Sequence, residues 1–378
     1  MKILYVTYHG GSGGVSVLIS DLVRILVEEK GVTLDVCYAS HIGRVGEEVQ
    51  GVATATHCLE MRGGFDLMGA WRLVGLIRRG RYDLVHLHYF TPALRIATWM
   101  SGVRPVVQTE HGGIKGELDR PRWPLMRTLH RMLRRSATRY TAVSEDSRRD
   151  LIEHGIAHSE EVAVIYNGID SSRFSFSAPG RDKIREECGL TESNVVIGTV
   201  RSLTSKMGID HLLTAGKELI DKNAEIRLLI VGDGGLRQEL GRLSEHLGIQ
   251  DNVIFLGERR DIADCLSAMD VFVMPSVWET FGIAAVEAMA VGVPVVAYAV
   301  GGLTEVVQDG QTGLLVDHRD PNLLADRILE IIDDPKGLGS RLSERAHARV
   351  GEAFDVRVAA SEYLALYRRL AGEVVEVP

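Results

Sequence analysis

The sequence predicts an α/β protein made of two doubly wound, Rossmann-like domains. Its 378 residues, 45% hydrophobic and 25% charged, are enough for two domains with separate cores. Short apolar runs alternate with helical patterns along the chain, as strands of a parallel sheet covered on both faces do. The opening itself, KILYVT, then HGGSGG, then a helical pattern, is a strand, a glycine loop and a helix, the usual start of such a sheet.

The first strand is read at residues 2–7. The helix after the loop has Val17, Leu18, Val23 and Leu26 on its apolar side. The dinucleotide fingerprint is incomplete. Gly11 and Gly13 give G-x-G, but Ser16 stands where a third glycine is needed, and the second strand, Thr33–Tyr38, ends without an acidic residue for a ribose. An NAD site is therefore not expected. Further strands are read at Asp83–His88, Pro105–Glu110, Tyr140–Val143 and Val162–Tyr166. His88 and His111 fall at or just past two strand ends, where open α/β sheets bind ligands. His86 and His88 share one strand face, but no third ligand has suitable spacing and no D-x-D occurs, so no metal site is expected.

Residues 120–139 hold seven arginines and no acid, with Trp123, Leu125, Met126, Leu129, Met132 and Leu133 between them. Residues 71–82 repeat the mixture. Such a segment is either a solvated face whose apolar side packs on the sheet or a contact for an anionic membrane. Residues 171–193 are polar and turn-rich and are expected to contain the linker.

The second domain opens with a strand at Val195–Val200, followed by Arg201, Lys206 and a helix from about Gly208. The strand Arg227–Val231 runs into the turn Gly232–Gly235. A strand ending at Pro275 leads to a loop with Glu279, Thr280, Phe281 and Gly282, a helix stopped by Gly292 and Pro294, and a buried strand running into Gly301-Gly302. A helix start offers free N–H groups and partial positive charge to a phosphate, and Gly282 lets an anion approach the backbone. Glu279 and Glu287 are eight positions apart. In a fully helical segment their backbones would be about 12 Å apart, too far for a pair acting on one anomeric carbon, where about 5–9.5 Å is needed. The spacing suits one elongated ligand gripped at two places, and a nucleotide sugar has that shape. Residues 304–318 read as strand–turn–strand, then helices at about 320–333, 336–351 and 356–370.

Composition excludes other classes. No apolar run is long enough for a spanning helix, and the N-terminus does not read as a signal peptide. Cys37, Cys58, Cys188 and Cys265 are far apart with no C-x-x-C, so four buried, reduced thiols are expected. The net charge of −8 argues against general nucleic-acid binding. It is unevenly spread: residues 1–176 carry 22 Lys/Arg and 19 Asp/Glu, the remainder 21 and 32, as two domains with different partners would.

The E-x7-E spacing, the FG after Glu279, and EAMAVGVPVVA followed by GG resemble the retaining glycosyltransferases of family 4. Weaker resemblances extend over nearly the whole chain: QTEHGG around His111, AVSED at Ala142–Asp146, YNGID at Tyr166–Asp170, and Arg201-x4-Lys206. The resemblance implies the GT-B fold, two Rossmann-like doubly wound domains facing across a cleft. It implies an acceptor domain over residues 1–173, a donor domain over 174–355, and a terminal segment, 356–378, whose helix crosses back onto the first domain. It further implies a hexosyltransferase with no metal or organic cofactor, a nucleoside-diphosphate sugar as co-substrate and a glycan or lipid-linked acceptor. Cell-surface polysaccharide or glycolipid synthesis on the cytoplasmic side, peripheral to the inner membrane face, follows from the same resemblance. Glu279 would hold sugar hydroxyls and Glu287 the ribose. Arg201, Lys206 and the Gly282–Ile283 amides would hold the diphosphate, with Thr280 and Phe281 beside them. His111 would contact the transferred sugar, Gly13 and Gly14 would approach the phosphates unless they form only a tight turn, and Gly232 and Arg259 would lie towards the phosphate and base. For His111 a purely structural role is the other reading. A nucleotide-sugar epimerase or a non-catalytic nucleotide-sugar-binding protein of the same shape is the alternative.

Overall fold

Every strand pairing among the described residues is parallel. The computed structural model describes the chain except residues 12, 113–122, 318, 335–336 and 373–378 and the side chains of 123 and 124. In chain order the first elements are β1 (Lys2–His9), α1 (Gly14–Leu26), β2 (Thr33–His41), α2 (Gly43–Gln50), β3 (Ala55–Cys58), α3 (Leu67–Gly80) and β4 (Leu84–Leu87). Then come α4 (Pro92–Ser101), β5 (Val106–Glu110), α5 (Trp123–Met132), β6 (Arg139–Ala142), α6 (Glu145–Glu153) and β7 (Val162–Val164). The next stretch holds α7 (Ala178–Glu187), β8 (Val195–Val200), α8 (Ile209–Lys222), β9 (Ile226–Val231), α9 (Arg237–His246), β10 (Val253–Gly257) and α10 (Ile262–Ser267). It continues with β11 (Val271–Met274), α11 (Ile283–Val291), β12 (Val295–Tyr298), α12 (Leu303–Val306), β13 (Leu314–Val316), α13 (Pro321–Ile332) and α14 (Leu338–Arg349). The last helix is α15 (Val356–Leu370).

The chain divides into two units, Met1–Gly168 with Val356–Pro378, and Ile169–Asp355. The first passage thus falls at Gly168/Ile169, upstream of the 173/174 boundary read from sequence.

In the first unit the strand order is β3-β2-β1-β4-β5-β6-β7. Alternate residues of β1 and β2 serve opposite faces, as the two-residue strand period requires. Ile3, Tyr5, Leu34 and Val36 join α1 and α15 in one core, while Leu4, Val6, Cys37 and Ala39 join α3 and α4 in another. α15 belongs to this unit because Tyr363, Leu364 and Tyr367 complete the first of these cores.

In the second unit the order is β10-β9-β8-β11-β12-β13. Ile197, Ile230, Val273 and Val296 pack under α8 and α13 in one cluster. In both sheets the strand order reverses beside the first strand, between β1 and β4 and between β8 and β11. Loops leaving those strand ends flank a ready-made crevice.

Four local readings change. Residues 171–193 are not a linker: α7 lies within them, capped by Ser177, whose hydroxyl accepts from the Gly180 amide, and tied down by Arg181 and Arg185 on Asp270. Residues 304–318 are not strand–turn–strand. The Val306 amide closes on the Gly302 carbonyl at 3.1 Å, so α12 forms there and only Leu314–Val316 is a strand. The edge strand β3 is short and polar and had no apolar run to mark it. Of the four cysteines, all free, only Cys37 and Cys265 are buried; Cys58 ends that edge strand and is exposed.

Candidate active site

In the second unit the site grows from the ends of β8 and β11, at the point where strand order reverses. β8 delivers Arg201. Its amide donates to the Val231 carbonyl at 2.8 Å, so the backbone leaves the sheet beside the Gly232 turn. Gly232 has φ +128, and a Cβ there would sit 1.9 Å from the Arg201 carbonyl oxygen. Only glycine allows that approach. Gly232 also donates to the Gly257 carbonyl at 2.7 Å, which joins this turn to the end of β10, just before Arg259.

β11 delivers the loop with Glu279. Arg201 Nη2 donates to Glu279 Oε2 at 2.5 Å, and the two side chains are only 6% and 17% exposed. Lys206 reaches the same loop. Its carbonyl accepts from the Val277 amide at 2.9 Å, and its Nζ lies 5.7 Å from the centre of the Trp278 ring. Arg201 is thus paired with Glu279, and Lys206 meets the same loop through its carbonyl and the Trp278 ring. Trp278 was not singled out by sequence; a lone tryptophan carries no signal until Lys206 is placed above it.

The loop ends at Gly282, which caps α11 with φ +106. Its missing side chain makes room for Leu303, whose Cδ2 would lie 2.5 Å from a Cβ, as well as for the turn itself. Gly302 donates to the Glu279 carbonyl at 3.1 Å, and a Cβ on it would meet the Thr280 carbonyl oxygen at 2.1 Å. The Gly301-Gly302 pair therefore braces the Glu279–Phe281 backbone. Phe281 turns into the core, 1% exposed and edge-on to Phe354 at 5.5 Å, so its side chain is packing and only its backbone remains for a ligand. Ala285 and Val286 amides close on the Gly282 carbonyl, which leaves Ile283 at the open start of the helix.

Glu287 sits inside α11 and is partly accessible. Burial pushes its carboxyl up to about 7, against the pull of Arg173 and Arg201. Arg173 had been read only as part of the linker; its field at Glu287 depends on tertiary placement. Arg259 is committed elsewhere: it forms two bonds to Glu187, at 2.6 and 3.0 Å, and two to Asp261, at 2.9 and 2.8 Å.

In the first unit, Gly13 caps α1 with extended backbone and Gly14 is its first residue. A Cβ on Gly13 would meet nothing within 4 Å. The tight packing in this loop is at Gly10, where a Cβ would lie 1.9 Å from the Ile42 carbonyl oxygen. Part of the loop, residue 12, lies outside the described residues. His111 follows β5, and His88 Nδ1 lies 3.2 Å from its Nε2. His86 and His88 do not make a metal pair with it: both nitrogens of His86 are taken, by the Tyr367 and Thr109 hydroxyls, at 2.6 Å each. Among the described residues no group of three or more His, Cys, Asp or Glu is placed to hold a metal ion.

Residues 120–122 of the basic segment lie outside the described residues. Within α5, Leu125 and Met132 are exposed, whereas His130 is buried and stacks on Phe90 at 3.3 Å. At the start of α3 Phe65, Leu67, Met68 and Trp71 are also exposed. No helix among the described residues is long and apolar enough to cross a membrane.

Two parallel-sheet units, each with its conspicuous residues at strand ends near the order reversal, define the GT-B class. The fold is similar to that of Anabaena HepE solved with UDP and with UDP-glucose, with a TM-score of 0.84 for the UDP complex at 24% identity over 98% of this chain and 100% of that one. Residues 12–173 match the model described as Glycosyltransferase Family 4, and residues 180–349 that described as Glycosyl transferases group 1. Two relatives are D-inositol 3-phosphate glycosyltransferases. That of Streptomyces avermitilis is 35% identical over 77% of this chain and 66% of its own length. That of Streptomyces bingchenggensis is 34% identical over 80% and 71%. The N-acetyl-alpha-D-glucosaminyl L-malate synthase of Bacillus anthracis is 29% identical over 80% and 79%. The chain belongs to the family 4 glycosyltransferases. It spans about two thirds of the length of the Streptomyces avermitilis relative.

Proposed function

We propose that the protein transfers a hexosyl group from a nucleoside-diphosphate sugar to a small, anionic hydroxyl acceptor, with retention at the anomeric carbon. The single observation that carries this reading is the Arg201–Glu279 pair with Lys206 at the β8/β11 strand ends. A leaving nucleoside diphosphate gains charge as the glycosidic bond breaks, and fixed cations stabilise it without reorganising. Arg201, Lys206 and the Gly282–Ile283 amides take the diphosphate, with the Thr280 backbone beside them. Glu279, oriented by Arg201, takes sugar hydroxyls, and Glu287 the ribose. Base recognition falls to the backbone of the Gly257–Arg260 turn, since the Arg259 guanidinium is held by two carboxylates. His111 is assigned to the transferred sugar. No metal or organic cofactor takes part.

Retention without a protein nucleophile implies attack from the face of the leaving group. The C1–phosphate oxygen bond breaks, the C1–acceptor oxygen bond forms on the same face, and the acceptor proton passes to the departing phosphate oxygen. The relatives named for inositol 3-phosphate and L-malate support an anionic acceptor, as does the surplus of Lys/Arg over Asp/Glu in residues 1–176.

A second reading, a lipid-linked acceptor in cell-surface glycan synthesis at the cytoplasmic face of an anionic membrane, is favoured by the exposed Phe65, Leu67, Met68 and Trp71 beside arginine-rich helices. The test is nucleotide release from a panel of nucleotide sugars, UDP-glucose included, with D-inositol 3-phosphate, L-malate or an acceptor-lipid extract added singly. Release stimulated by one of the two small acids supports the first reading, and release stimulated only by lipid supports the second. Conversion to a second nucleotide sugar, or binding with no turnover, would replace both with an epimerase or a binding protein.

A further inference from the structure

We infer that Arg349 is a positioning residue for the Glu279 loop: it ties both supports of that loop, α12 and the Phe354 ring, to the end of α14. Its effect on rate rests on the assignment of Glu279 to the transferred sugar; the brace itself is read from geometry.

The loop between β11 and α11 holds no helix or strand, so its shape is set by what packs against it. One support is α12. Gly302, just before this helix, donates to the Glu279 carbonyl at 3.1 Å, and its missing side chain lets the Thr280 carbonyl close in. Yet α12 is a single turn, Leu303–Val306, and one turn of helix is not stable alone. Its last carbonyls find no partner further along the helix. Arg349 supplies one: Nη2 donates to the Glu305 carbonyl at 2.8 Å and Nε to the Val306 carbonyl at 3.3 Å. A guanidinium fork suits two consecutive carbonyls, and its charge suits the negative end of a helical turn.

The other support is Phe354. Val350–Phe354, directly after α14, wind as a π-helical turn that ends with Phe354 fully buried and edge-on to Phe281 at 5.5 Å. The Arg349 guanidinium carbon lies 5.1 Å from the centre of the Phe354 ring, within reach of a cation–π contact. Phe354 is itself held: its carbonyl accepts from the Ile169 amide at 2.9 Å, and the next residue, Asp355, accepts at Oδ2 from Ser171 Oγ at 2.5 Å. Two residues before Arg349, His347 Nδ1 donates to the Ala290 carbonyl at 2.8 Å, which ties α14 to the last turn of α11. The end of α14 thus holds the helix that follows the loop, the turn that grips the Glu279 carbonyl and the ring against Phe281. Arg349 joins the last two through one side chain. All of these residues lie within Ile169–Asp355.

Hydrogen exchange of the full chain without ligand, read by mass spectrometry, tests the brace. In Arg349→Met, residues 302–307 should exchange about tenfold faster, as the net loss of one or two hydrogen bonds implies, while α8 and α13 keep the parent rate. Arg349→Lys, which keeps the charge near Phe354 and a donor for one carbonyl, should fall between the two; should Arg349→Met not fold, this comparison decides. Unchanged exchange over 302–307, or equal acceleration in α8 and α13, overturns the inference. Turnover of UDP-glucose with D-inositol 3-phosphate supplies the second readout. Arg349→Met should lower kcat about tenfold, because a loosened loop no longer holds Glu279 in place, with the UDP-glucose KM changed by less than about twofold. A brace that acts through Glu279 predicts non-additivity: in the Glu279→Gln background the same substitution should cost less than about twofold. A loss that multiplies in full there refutes action through Glu279. If exchange behaves as expected and Glu279→Gln is itself fully active, the brace stands and the assignment of Glu279 is what fails.

Discussion

Replacing Glu287 by glutamine should make the protein more stable and a poorer binder of its donor, and the stabilisation should depend on pH. The folded-state carboxyl titrates at about 7 rather than 4.5. For an acid whose value is raised by folding, the native state holds its proton more tightly than the unfolded chain does. Stability is therefore full below the unfolded value of 4.5, falls as pH rises towards 7, and is level above that. The difference corresponds to about 3 kcal/mol at 1.36 kcal/mol per unit. This is a ceiling, because Glu287 keeps some accessible surface. Glutamine is neutral throughout and escapes the penalty. At pH 4.5 the variant and the parent should melt together. At pH 8 the variant should melt higher by up to about 6–12 °C, taking roughly 2–4 °C per kcal/mol for a domain of this size. The assay is thermal melting across pH 4.5–8.5 without ligand. On the proposed assignment of Glu287 to the ribose, a contact equal in ground and transition states, the same substitution should raise donor KM with kcat little changed. A variant that melts no higher than the parent at pH 8 would refute the burial argument for Glu287. A kcat loss at unchanged KM would refute its assignment to the ribose.

Glu279→Gln should behave in the opposite way, with kcat lower by about 10²-fold or more in donor-saturation kinetics and a small change in KM; near-normal kcat would reverse the roles of the two glutamates. Gly302→Ala should destabilise the second unit by more than about 2 kcal/mol, since its Cβ would strike the Thr280 carbonyl, and denaturant melting reads this directly. Turnover should survive EDTA; loss restored by Mg²⁺ or Mn²⁺ would contradict the assignment of the diphosphate to Arg201 and Lys206. Flotation with anionic liposomes should retain the protein at low salt and release it at high salt, at about 1 kcal/mol per basic residue near the surface, and replacing Leu67 and Trp71 with serine should weaken retention; equal behaviour with neutral lipid would mark the face as merely solvated.

The strands could be read from sequence because a parallel sheet covered on both faces needs near-continuous apolar runs, and KILYV or VFVM can be little else. β3 escaped because an edge strand has no such need. Residues 171–193 were misread because Pro179 and Gly180 look like breakers, whereas both sit in the first turn of α7, where proline costs nothing. Val306 and Val307 suggested a strand after Gly302, but the helical turn there is set by the glycine pair pressed against Thr280. The chemistry showed the same division. Arg201, Lys206 and Glu279 were singled out because their spacing resembles that of a known family. Trp278 under Lys206 and Arg173 near Glu287 left no pattern, since each gains its meaning only from a neighbour distant in the chain.

The return of α15 to the first unit has a consequence for synthesis. The core under β1 needs Tyr363 and Tyr367, yet the whole of Ile169–Asp355 is translated between the first 168 residues and that helix. At roughly 5–20 residues per second, the ribosome takes on the order of 10–40 s to cross the insertion. During that interval the inner face of β1 and β2, with the hydroxyl of Tyr5 and the ring of His86, lacks its cover. The second unit, continuous in sequence, can close first. The unit begun earliest is thus the one completed last, and a nascent chain stalled before Val356 would present an open apolar sheet face to chaperones rather than a finished domain.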